Sequence, residues 1–120
     1  MSVSHDFVSE SHTGATGSIS AASFTWQHNP VGTPKGVLVF VFNLSSSADI
    51  VSSVTYDSVT VPAVAGGAAF DNAGEFGRCK AFLLGSGVPT TDPADVVVNR
   101  ENNTNELYAV CITVTAGADT

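Results

Sequence analysis

The groups in this chain that could do chemistry are three histidines, two cysteines and eleven acidic residues. His5 and His12 lie in a polar N-terminal segment and His28 closes an aromatic-rich stretch. Their spacing matches no zinc pattern, so they read as solvated polar residues. Cys79 and Cys111 have no CxxC partner and alternate with apolar neighbours, which predicts a pair of buried, inert thiols. A single bridge between strands is the alternative, favoured if the protein works outside a cell. Two cysteines exclude a dense disulfide framework. Spacing leaves open a Cys–His pair, because such groups need only meet in space. Gly85-Ser86-Gly87, followed by Pro89, is too short for a nucleophile elbow and reads as a turn. GxSxG, HExxH, P-loop and GxGxxG motifs are missing, so no catalytic residue is assigned and an enzyme is not expected.

Two groups of oxygen ligands merit the same scrutiny. Asp71, Asn72 and Glu75 cluster in a glycine-rich stretch, and Asp92 and Asp95 flank another loop. Calcium prefers such loops, but the EF-hand spacing is absent, so ordinary solvated acids are expected, with no metal and no cofactor. Trp26, Tyr56 and Tyr108 fall in strand-like segments, where an aromatic ring is more often core than sugar platform. Phe70 and Phe76 are different, because apolar rings in a glycine-rich loop need a reason. They either plug the end of the domain or touch a partner.

Charge narrows the partners. Four basic residues face eleven acidic ones in 120 residues, a net charge of −7. Such a surface repels phosphate polyanions, so neither nucleic acid nor an anionic membrane is an expected partner. Charged residues make up only 12% of the chain, about half the usual share. Ser, Thr, Gly, Ala and Val take their place, a mixture that suits short strands and tight turns. Met1 to Gly17 shows neither a basic n-region nor an apolar h-region, so synthesis in a cytoplasm is expected. The longest apolar run, Val37–Phe42, is strand-sized.

The elements that must position these groups are strands. Residues 1–18 are polar and without period, and read as an extended N-terminal arm in which Phe7 and Val8 are apolar. Ile19–His28 alternates, with Phe24 and Trp26 on one face. Gly36–Leu44 is a continuous apolar run, which predicts a central strand buried on both faces. Ile50–Tyr56 and Val59–Val61 flank Asp57-Ser58, a two-residue hairpin turn. Residues 62–77 read as a long surface loop after Pro62. Arg78–Leu84, Asp95–Asn99 and Glu106–Thr115 complete the set. About seven strands at this spacing, with no stretch of helical period, predict an antiparallel β-sandwich spanning 19–120 as a single domain. An odd strand count leaves an edge to cover, a hint of self-assembly.

The segments PKGVLVFVF, VTYDSVTVP, AGEFGRCKAFLLGSGVPT and YAVCITVTAGADT resemble β-rich virion proteins of tailed bacteriophages. The resemblance runs over the greater part of the chain. It implies a jelly-roll-like sandwich serving as a head decoration, fibre or tail-associated part, and carries over no functional residue. In that family related sequences run longer at the C-terminus, which would leave the final strand of this chain without a partner. The expected function is therefore a virion structural protein, most readily a capsid decoration or head-fibre subunit. Its partners would be other copies of itself and the major capsid protein. Phe7 and Val8 in the arm and Phe70 and Phe76 in the long loop are the expected subunit contacts. The alternative is a carbohydrate- or receptor-binding module using Trp26, Asp71, Asn72 and Glu75.

Overall fold

A computed structural model describes residues 3–15, 21–44, 50–71, 77–101 and 106–116, with backbone alone for 44 and 68–71. Among them lie nine strands: β1 (Val3–His12), β2 (Ser23–His28), β3 (Gly36–Leu44), β4 (Val51–Tyr56), β5 (Val59–Thr60), β6 (Ala63–Asp71), β7 (Gly77–Leu84), β8 (Ala94–Arg100) and β9 (Leu107–Ala116). They form two antiparallel sheets packed face to face. The larger runs β1-β9-β3-β7-β6 and the smaller β2-β8-β4-β5.

The core follows from period-two alternation. Val37, Val39 and Val41 of β3, Phe82 of β7 and Leu107, Ala109 and Cys111 of β9 point inward from the larger sheet. Phe24 and Trp26 of β2, Val54 and Tyr56 of β4 and Ala94, Val96 and Val98 of β8 meet them from the smaller one. Both contributions are mostly Val and Ala along the middle strands, which lets two pleated sheets approach to about 10 Å. Asp57 and Ser58 form the predicted hairpin turn, with φ of 48° and 67°. Left-handed values at both positions are what a type I′ connection requires.

Five expectations are corrected. Val3–His12, expected as part of an extended arm, is a strand of the larger sheet, paired with β9 from Val3↔Ala116 to His12↔Tyr108. Residues 63–71 are strand β6, where a loop was expected. The ladder there jumps from Ala63↔Phe82 to Ala68↔Lys80. The bulge turns through Gly66 at φ 73°. A Cβ on Gly67 would come within 2.8 Å of Val64, so glycine is required at that position. With β1 and β6 the strand count exceeds the predicted seven. The final strand is no exposed edge: β9 lies between β1 and β3 and is bonded to both. β3 is central as expected, but only its inner face is buried.

Candidate functional site

Two arrangements stand out, one polar and buried, the other apolar and open. The first is a relay of side chains that crosses the sandwich at β1, β2 and β9. Trp26 Nε1–H donates to Ser9 Oγ at 2.8 Å. Ser9 Oγ lies 2.6 Å from His28 Nδ1, and His28 Nε2 lies 2.9 Å from Thr113 Oγ1. Thr113 Oγ1–H donates to Asp6 Oδ2 at 3.0 Å. The Asp6 carboxylate also accepts the Gly32 and Val31 amides at 2.7 and 3.2 Å. A Cβ on Gly32 would press on Thr115 and approach Asp6, so the missing side chain is what lets this loop reach the carboxylate.

The protons of the relay can be assigned from its ends. Indole N–H only donates and a carboxylate only accepts. Thr113 spends its hydrogen on Asp6, so it must accept from His28 Nε2–H. The neutral imidazole then has a lone pair at Nδ1, which accepts the Ser9 hydrogen. Every bond runs one way, from Trp26 to Asp6, with His28 uncharged. Burial lowers the His28 pKa, and the Asp6 charge opposes that shift only in part. Phe7 stands edge-on to the imidazole at 5.1 Å and Tyr56 does the same at 6.0 Å.

A serine beside a histidine is also the pair that nucleophilic hydrolysis uses. Here the histidine is fully buried, and each ring nitrogen is committed to a bond that joins strands. The chemistry supported by this geometry is attachment: β1 is fastened to β2 and β9 by partly buried hydrogen bonds. His28, expected as a solvated residue, is instead the middle of the relay.

The second arrangement is the outward face of the larger sheet. Its side chains form rows across the strands. Val8, Ile112, Leu38 and Leu83 make one row; Glu10, Val110, Phe40 and Ala81 the next; His12, Tyr108, Phe42 and Cys79 the third. Val8 (45%), Leu83 (43%) and Phe42 (38%) are the most exposed of the apolar members, and the others are half-buried by their own neighbours. Polar groups appear along β1 and at Tyr108 of β9, whose Oη–H donates to Glu10 Oε2. β9, β3 and β7 place no formal charge on this face.

Of the expected contact residues, Val8 belongs to this face, while Phe7 points inward to His28. Phe70 lies on β6, described by its backbone alone, and Phe76 lies outside the described residues. Asn72 and Glu75 lie outside them too. Among the described residues no cluster of His, Cys, Asp or Glu could hold a metal ion. Trp26 is core, as expected. Cys111 is buried and Cys79 half-buried, both as free thiols. Through the ladders of β3 they fall on opposite faces of one sheet, which rules out a bridge between them. Burial raises the pKa of both, that of Cys111 to about 12.

The sequence held a signal for the open face. β3 and β9 are apolar at both alternations, and an antiparallel sheet with no helix beside it can bury only one of them. The relay left a weaker trace, His28 continuing the inward alternation of Phe24 and Trp26. No family model matches the chain, and neither a curated protein nor a solved structure is significantly similar to it.

Proposed function

We propose that this chain is a non-enzymatic structural subunit that works by docking the outward face of its five-stranded sheet. The observation that carries the reading is the set of uncharged apolar rows from Val8 to Leu83 and from Tyr108 to Cys79. Contiguous apolar surface of this kind on a protein of net charge −7 marks a contact site. The buried relay supports the same reading, since its chemical groups are committed to holding strands.

The strand order supports a jelly-roll form. Without β6, the sheets β1-β9-β3-β7 and β2-β8-β4-β5 are two interleaved four-stranded layers, with β6 added at one margin. Jelly rolls are frequent in viral capsid and lectin domains, an association of fold and not a derivation of function. Joined to the resemblance of PKGVLVFVF and its companion segments, it favours a virion: a capsid decoration or head-fibre subunit, made in the host cytoplasm and seated on the major capsid protein. Binding the assembled shell more tightly than its dissociated parts would stabilise the shell by mass action. The carbohydrate-binding alternative has lost Trp26 to the core.

Cosedimentation with purified tailed-phage heads tests the setting. The expected result is saturable binding and a higher disruption temperature of the heads. A chain that stays in the supernatant at every concentration overturns the virion reading.

A further inference from the structure

An apolar sheet face in water needs a cover, and among the described residues no element packs over this one. Three of the four sheet edges, the other usual place for association, are guarded. β1 carries an irregularity between His5 and Phe7. β6 has its bulge at Gly66, β5 is two residues long, and β2 stops just before Asn29-Pro30. Edge-to-edge pairing is therefore hindered at the β1, β5 and β6 margins, while the face is open.

Size and charge identify the occupant. Strands about 4.8 Å apart, with outward residues about 6.8 Å apart along each, make four strands and their rows roughly 20 Å by 20 Å. Two such faces bring together about 800 Å² in flat projection, which side-chain relief and rim raise toward the roughly 1,000 Å² of a weak, transient pairing. Each copy carries a net charge of −7, so two copies can meet only where acid is absent. The outward positions of β9, β3 and β7 meet that condition, with Glu10 confined to the margin on β1. A basic partner would be drawn to the acidic surfaces instead, and a polyanion would be repelled from the whole molecule.

We propose that two copies of this chain pair face to face through the rows built on Ile112, Leu38, Val110, Phe40, Tyr108 and Phe42, forming a two-fold dimer with four stacked sheets. This pairing rests on the docking function above and names its partner as a second copy. An interface of this size, uncharged and flat, is that of a weak, reversible dimer.

Sedimentation velocity of the purified chain over a concentration series tests it, with near-ultraviolet dichroism of Trp26 as the control for folding. The expected result is a monomer–dimer equilibrium that Phe42→Glu and Leu83→Glu each weaken about tenfold or more, because each would bury an unpaired charge. Both positions are more than a third exposed, so the folded monomer can hold the new group in water. If a glutamate unfolds the chain, Leu83→Ser gives the same readout with a smaller shift. A wild-type chain that is monomeric at every concentration overturns the pairing, and so does a dimer indifferent to all three substitutions. A monomer that still cosediments with phage heads would remove the pairing and leave the docking function standing. A dimer sensitive to Phe42 that never binds heads would support the pairing and remove only the virion setting.

Discussion

His28 has one proton to place, and its neighbours decide where it goes. Thr113 on one side and Ser9 on the other hold it on Nε2, and burial opposes a second proton. Protonation at Nδ1 would leave Ser9 facing two donors, that ring nitrogen and the indole of Trp26. The folded pKa is therefore below the unfolded value of about 6.5. The unfolded chain takes up the proton first on acidification, so the stability from neutral His28 is present above about pH 6.5 and lost as pH falls toward the folded value. Urea unfolding should show a lower midpoint at about pH 5.5 than at about pH 7.5, whereas His28→Gln starts lower and loses that dependence. A wild-type midpoint that is level across this range would refute the assignment. Tyr56 gives the opposite kind of prediction. Its hydroxyl is buried without a hydrogen-bond partner among the described residues, and burial, the largest cause, pushes its pKa up to about 12. Tyr56→Phe should keep the thermal midpoint or raise it, by up to about 1 kcal/mol of stability, because only a desolvated hydroxyl is removed. A clear loss would reveal a bound partner. These roles were almost illegible in the sequence. His28 and Thr113 are 85 positions apart and Asp6 and Thr113 are 107 apart, and no local pattern announces a bond made at such a distance.

The strands divide by whether apolar alternation defines them. β3, the β4–β5 hairpin, β7, β8 and β9 were legible, because Val, Ile, Leu and Phe recur at strand period and Asp57-Ser58 marks a turn. β1 and β6 were not, for different reasons. The inward side of β1 carries Ser9 and Ser11 beside Phe7, with Asp6 turned onto Thr113, so its buried side is mostly polar and looks like a solvated arm. β6 is Ala and Gly with a bulge, a composition that reads as loop because its strand character comes from pairing with β7. The distinction for β1 has a direct test. A loose arm can be removed without consequence. Removing residues 1–15 here would strip β9 of one neighbour and leave the Trp26 indole, His28 Nδ1 and the Thr113 hydroxyl short of their ordered partners. Each orphaned buried group costs about 1–3 kcal/mol, and a small domain has only about 5–15 kcal/mol in all. The shortened chain should lose its cooperative unfolding transition by circular dichroism and scatter light as the β9 edge opens. A shortened chain that still melts cooperatively near the original temperature would return β1 to the status of an arm.

At the scale of the molecule, the two faces of one sheet have different tasks. The inner face, with Val37, Val39, Val41 and Cys111, closes the core. The outer face repeats that apolar character with Leu38, Phe40 and Phe42 and has nothing over it among the described residues. The run from Gly36 to Leu44 therefore read correctly as apolar on both sides, but the cover for the second side had to come from elsewhere. Net charge then sets how that cover responds to salt. Copies at −7 repel one another across solvent, over about 30 Å at 0.01 M ionic strength and only about 8 Å at 0.15 M. Contact between uncharged rows contains no ion pair for salt to weaken, and excluded salts such as sulfate strengthen apolar burial. Self-association should therefore tighten several-fold as sodium chloride rises from about 0.01 M to about 0.5 M, and further in sulfate at equal ionic strength. Sedimentation velocity at fixed protein concentration reads this as a growing dimer fraction. An interface held by ion pairs, for instance between the acidic residues of one copy and Lys35 of another, behaves in the reverse way and dissociates with added salt. The sign of the salt effect thus decides between the apolar face and the charged surfaces as the place where this chain meets its partner.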